Sequence, residues 1–284
     1  TNSTFANVAS AAGYPKPVTL LRLGRESVYN MWQLVHEIKN GEHPLFKEDT
    51  SINLFAYSIG ALLSQVLLLA NPDKMFTDTR LFMFAVLIFS EMDATPVNHG
   101  QGAFAKVRHY FRHDFLENRT LPTSFKNDFL EQAFKAMVRE DVLRDYRESF
   151  FQRACDRIRA ISLKKDIVMP TGGVIKALGK ASGKILEELD FPFAYSHQIP
   201  FPTHSRIDPG LINQAFHSIF TRAAGFSKGT SPHLRQAQQT TLPASQLASI
   251  LSVFGYPPSP LYVPHIYFMN TMQKNREIRR SANP

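Results

Sequence analysis

Within LFAYSIGA, residues 54–61, a serine and a glycine interrupt an otherwise apolar segment that continues into ALLSQVLLLA. A short aromatic stretch before the serine reads as a buried strand, and the apolar run after Gly60 reads as a helix. A sharp turn between the two, carrying Ser58, is a nucleophile elbow. The turn needs small residues two positions either side of the serine, because the strand and helix backbones nearly touch there; those positions are Ala56 and Gly60. The geometry predicts the Ser58 hydroxyl at the carboxyl end of a sheet, where open α/β sheets hold ligands. It also predicts the Ile59 N–H, just inside the helix, pointing at a developing oxyanion. A small-residue turn with a structural serine is the competing reading.

A serine at neutral pH is a poor nucleophile without a base, and the base needs an orienting acid. The chain order for this arrangement is serine, then Asp or Glu, then histidine, with acid and base each just beyond a later strand. Asp166 in ISLKKDIVMP and His197 in LDFPFAYSHQIPFP occupy those places. Taken singly, Asp166 reads equally as a turn or helix cap and His197 as a surface-loop histidine. Asp190 is the alternative acid, although it lies inside the run that leads to the histidine.

The elements that must position these groups follow from periodicity. Val28, Met31, Trp32, Leu34, Val35 and Ile38 recur at helical spacing over residues 24–39, and Asn40, Gly41 and Pro44 end the helix. SINLFAYS and RLFMFAVLIFS read as strands, the second so uniformly apolar that it belongs in a parallel sheet covered on both faces. RIRAISLKKD and GKILEELDF read as the third and fourth strands, with helices over VIKALGKA and DPGLINQAFHSIFTRAAGF; Asp208 caps the latter and Pro209 opens it. Alternating strands and helices predict an α/β fold with a mainly parallel sheet flanked by helices. Residues 91–155, mostly helical in pattern, read as a lid inserted between strands, and their Phe and Tyr content points to an apolar or aromatic acyl group. The domain is expected over residues 18–226, with a Pro-, Ser- and Gln-rich appendage at 227–284.

HPLF, NLFAYSIGALLSQ, RLFMF, ISLKKDIVMP and LDFPFAYSHQIPFP together resemble an uncharacterised family of bacterial α/β-hydrolase-like proteins, over roughly residues 25–226. The resemblance implies the α/β-hydrolase fold, with Ser58 as nucleophile, Asp166 as acid and His197 as base, and implies no substrate; a small-molecule acyl substrate is the partner expected from the elbow reading. One departure stands out. That fold normally carries several strands and an oxyanion loop before the elbow, whereas about fifty residues precede Ser58 here. The elbow strand is therefore expected to have an open edge, an aggregation liability unless covered. A fragment of a longer protein, a second chain, or residues 227–284 closing that edge are the available explanations.

Composition bounds the alternatives. With 44% hydrophobic and 20% charged residues and 23 Phe, the chain can build a sizeable core. Its net charge of +8 is spread over interleaved acids and bases and reads as a solvated surface. The lone Cys155 excludes an internal disulfide framework and a cysteine-built zinc site. No uninterrupted apolar run is long enough to span a membrane, and a cytoplasmic location is the expectation. His109 and His113 are four apart beside Asp114, but Tyr110 stands where a zinc-protease helix has its glutamate, so no metal is expected. Arg108 and Arg112 beside them suit a solvated or phosphate-contacting face, and no recognition motif accompanies the mixture, so nucleic acid is not an expected partner. Gly172-Gly173 lacks the features of a phosphate loop, and no cofactor is expected. Thr1 as an N-terminal nucleophile and the sequons at Asn2 and Asn118 carry no more weight than chance matches. The reading is a serine hydrolase acting on an ester or related acyl bond; the competing class is a non-catalytic binding or scaffold protein that retains the elbow as structure.

Overall fold

The computed structural model describes residues 17–86, 129–138, 143–202, 207–228 and 266–268. Helix α1 (Pro17–Lys39) leads into strand β1 (Asn53–Ser58), helix α2 (Ile59–Ala70) and strand β2 (Arg80–Val86). Helices α3 (Phe129–Val138) and α4 (Arg144–Ala154) precede β3 (Ile158–Leu163). Helix α5 (Thr171–Leu178) and the single turn α6 (Ser182–Ile185) precede β4 (Leu186–Leu189), α7 (Pro209–Ser227) follows it, and β5 (Ile266–Phe268) comes last. The sheet order is β4-β3-β2-β1-β5, with β1 to β4 parallel and β5 antiparallel to β1. The fold is α/β, with a mainly parallel sheet between helical layers.

Each parallel strand adds on the same side of its predecessor, so crossovers of one hand deliver their helices to one face. Leu54, Ala56, Leu81, Met83, Ile158 and Ala160 point to that face and share a core with residues of α1 to α5. The alternate residues Phe55, Phe82, Phe84 and Ile161 face the other way, where α7 lies through Ile212, Ile219 and Ala223. Both faces being covered explains why these strands read as apolar runs. The start of α7 is built as its sequence indicates: the Asp208 carboxylate accepts from the Gly210 N–H at 2.8 Å, and Pro209 takes the first helical position.

Two expectations need revision. The first half of GKILEELDF, expected as strand throughout, folds as the turn α6, and the strand begins only at Leu186. Of the segment expected to form a lid, α3 and α4 are core helices: Leu130, Ala133, Phe134, Met137 and Phe151 are buried against α2 and its neighbours. An amphipathic helix looks alike in sequence whether it caps a pocket or packs on a sheet. Residues 91–128 lie outside the described residues, and with them His109, His113, Asp114, Arg108 and Arg112. Residues 227–284, one of the explanations offered for closing the open edge of β1, contribute β5, whose Ile266, Tyr267 and Phe268 pair with Ala56, Phe55 and Leu54 there.

The crossover helices are tied together by a buried cation. Arg147 of α4 is 1% exposed; its Nε donates to the Ala177 carbonyl at 3.1 Å and its Nη1 to the Ala136 carbonyl at 2.7 Å. Both carbonyls lie in last turns, of α5 and α3, where helices leave acceptors unpaired and favour positive charge. Arg147→Met is expected to lower the unfolding free energy by about 3 kcal/mol, since each buried acceptor left without its donor costs about 1–3 kcal/mol. Urea denaturation followed by circular dichroism measures it; a loss under about 1 kcal/mol would remove this tie from the account.

Candidate active site

β1 ends and α2 begins at Ser58, which has φ 52° and ψ −119°. Few L-residues tolerate positive φ because Cβ crowds the neighbouring carbonyl, and residues held there cost of order 1–3 kcal/mol. Ala56 has no exposed surface and Gly60 is buried, as a turn of this tightness requires. The neighbouring strand is deformed in step. Tyr57 pairs with Phe84 but Ser58 with Val86, so Ala85 is an extra residue, and it too has positive φ, 47°. Phe84 and Ala85 consequently both face the α7 side of the sheet. Bulges of this kind re-aim side chains beside functional sites.

A serine at a helix N-cap normally accepts a hydrogen bond from the first turn. Ser58 makes no such bond; its Oγ lies 2.7 Å from His197 Nε2 instead. His197 Nδ1 lies 2.6 Å from Asp166 Oδ2. A carboxylate only accepts, so Nδ1 carries the proton and Nε2 presents its lone pair to the serine hydroxyl. Asp166 is fixed on its other side, where Oδ1 accepts from the Val168 N–H at 2.9 Å and the Met169 N–H at 3.0 Å. All three residues are buried, Ser58 being 8% exposed and Asp166 and His197 4% each.

Asp166 and His197 stand on loops beyond the ends of β3 and β4, and the two loops are stitched together. The Tyr195 hydroxyl accepts from the Lys165 N–H at 3.1 Å and donates to Asp190 Oδ1 at 3.0 Å. Burial holds the pKa of the Tyr195 hydroxyl above its ordinary value. Asp190 also forms an ion pair with Lys165 at 2.9 Å. Asp190 is therefore a brace between the loops, and it is Asp166 that lies against the imidazole. His197 itself lies in a tight turn where Ser196 and Ile199 exchange backbone hydrogen bonds of 3.3 and 3.2 Å.

The hydrogen bond from Lys165 is the main reason the Asp190 carboxyl is held below the ordinary 3.8. A carboxyl lowered by folding adds stability that is present above its unfolded pKa and is lost as pH falls through the folded one. The wild-type chain should lose stability below about pH 4 more steeply than Asp190→Asn. Parallel denaturation midpoints between pH 5 and 3 test this; superimposable slopes would show that the brace does not depend on charge.

The structure thus brings Ser58, His197 and Asp166 into one hydrogen-bonded line, with Ile59 opening the helix beside them. Tyr57, Tyr195 and Lys165 join them without having been singled out in the sequence. Tyr57 was only the variable position of the elbow, and no spacing rule marks Tyr195. Gly172 and Gly173 lie in the first turn of α5, a plain helix start. Among the described residues no group of His, Cys, Asp or Glu is arranged to hold a metal, and no helix is long and apolar enough to cross a membrane.

A family model described as a family of unknown function (DUF6051) matches residues 1–228, and the chain belongs to that family. No curated protein matches. Among solved structures, a monoacylglycerol lipase from Paleococcus ferrophilus is similar at a TM-score of 0.36 and 14% identity, over 71% of this chain and 75% of that one. A likeness so distant says nothing of substrate.

Proposed function

Since membership of that family brings no activity with it, we propose from the site alone that this protein is a serine hydrolase cleaving an ester or related acyl bond. Ser58 Oγ attacks the acyl carbon while its proton passes to His197 Nε2. Asp166 holds the imidazole in the receptive tautomer and stabilises the imidazolium that forms. The Ile59 N–H, at the start of α2, donates to the developing oxyanion. Collapse of the tetrahedral intermediate breaks the bond to the leaving oxygen, which takes the proton from His197. The acyl group remains on Ser58. Water, deprotonated by His197, then attacks that acyl carbon and releases the acid and the free serine.

The observation that carries this reading is the pair of contacts on His197, 2.7 Å to Ser58 Oγ and 2.6 Å to Asp166 Oδ2, made by a serine at φ 52°. A serine needed only as a turn residue has no reason to occupy that conformation and to forgo its cap. The alternative, a non-catalytic binding or scaffold protein that retains the elbow, is favoured by one fact, the 8% exposure of Ser58. Reaction of the purified chain with a fluorophosphonate probe, alongside Ser58→Ala and His197→Ala, decides between them. Labelling of the wild-type chain that both variants lose supports the hydrolase. An unlabelled wild-type chain points to the scaffold.

A further inference from the structure

The loop carrying His197 starts at β4, while Ser58 ends β1, and the sheet order puts β3 and β2 between them. Three strand spacings are on the order of 14 Å, so the base reaches its serine only by lying across the carboxyl end of the sheet. At the β4 end the loop is fastened by the Tyr195 brace and by the Lys164 N–H donating to the Leu189 carbonyl at 2.9 Å. At the β1 end the Tyr57 hydroxyl donates to the backbone carbonyl of His197 itself. The ring of Tyr57 lies nearly parallel to the imidazole, 24° apart with centroids at 6.1 Å, and stacks on Phe84 at 5.9 Å.

Tyr57 immediately precedes Ser58, so a single stretch of backbone fixes both the nucleophile and the residue that grips the base. The Phe84 contact supports the phenol from the neighbouring strand, whose bulge adjusts to the elbow. From this arrangement we infer that Tyr57 is the positioning residue for His197, setting the orientation of its peptide and hence the approach of Nε2 to Ser58 Oγ. This inference rests on the hydrolase reading for its effect on rate, and on geometry alone for its effect on the histidine.

Tyr57→Phe removes one oxygen and leaves the ring in place. The expected result is a fall of about tenfold to 100-fold in the fluorophosphonate labelling rate constant and in kcat, KM staying within about twofold, because small misplacement of a reacting group falls on the chemical step. The thermal midpoint should stay close to that of the wild-type chain, whereas Tyr57→Leu, which also loses the ring stacked on Phe84 and His197, should lower the rate at least as far and the midpoint as well. A second readout needs no activity. The His197 Nδ1–H bonded to Asp166 should give a low-field proton resonance, identified by its absence in His197→Ala, and Tyr57→Phe should broaden or shift it. An unaltered resonance with an unaltered rate overturns the role of Tyr57. If the wild-type chain proves unreactive, the hydrolase reading falls, and the resonance alone decides whether Tyr57 positions the histidine: perturbed supports it, unaltered overturns it.

Discussion

Ser58→Ala and His197→Ala are each expected to remove hydrolysis by about 10⁶-fold, and the double variant to be no worse than either alone. The non-additivity is the informative part. Ser58 and His197 share one proton across the 2.7 Å contact, so neither group does its work when the other is gone. Independent effects would multiply, and a double variant far below both singles would mean the two residues do not act as a unit. Stability should separate cleanly from activity, because Ser58→Ala leaves only His197 Nε2 without its partner, a loss of about 1 kcal/mol. Ser58→Gly separates strain from hydroxyl. Compared with Ser58→Ala, which lacks the same hydroxyl, glycine accepts positive φ without a Cβ clash, so it should relieve strain of order 1–3 kcal/mol against its own greater unfolded-chain entropy of about 0.5–1 kcal/mol. A glycine variant that unfolds at higher denaturant than Ser58→Ala, both being unreactive, would show that the elbow keeps its strain for the sake of the hydroxyl. A glycine variant less stable than Ser58→Ala would instead mean that the elbow holds no such strain.

Much of this site is legible in the sequence, for identifiable reasons. Ser58 is marked by its small neighbours Ala56 and Gly60, a steric demand that acts entirely within five residues. Asp166 and His197 were reachable because a parallel sheet built in chain order puts the ends of β3 and β4 on one edge. What escaped were contacts between segments far apart in sequence. The hydroxyl of Tyr57 meets the carbonyl of a residue 140 positions away, and no local pattern encodes that meeting. Ala85 shows no sign of its positive φ, because the bulge answers to the turn in the neighbouring strand. Similarly, α3 has the periodicity of any amphipathic helix, and only tertiary packing decides that it faces α2. The open edge of β1 was foreseeable from topology, whereas the three-residue strand that takes it has no distinctive sequence.

The sharpest division between structure and chemistry is expected at Asp166, where two substitutions should behave oppositely. Asp166 has two tasks, one for each oxygen: Oδ1 accepts the Val168 and Met169 N–H groups, and Oδ2 faces His197 Nδ1. Asp166→Asn can keep the first task through its amide oxygen. Its amide nitrogen then faces the imidazole as a donor, which forces Nδ1 to accept and moves the ring proton to Nε2. The serine hydroxyl meets an N–H in place of a lone pair, and hydrolysis should fall about 10⁴-fold with the fold nearly intact. Asp166→Ala forfeits both tasks and leaves two backbone donors unpaired in a site that is 4% exposed. It should destabilise by about 2–4 kcal/mol in addition to losing activity, each unpaired donor costing about 1–3 kcal/mol. Measuring unfolding midpoints and labelling rates on both variants separates the tasks. If Asp166→Asn kept most of its reactivity, the carboxylate would be a turn cap that merely touches the histidine, and the base would be oriented by its loop alone.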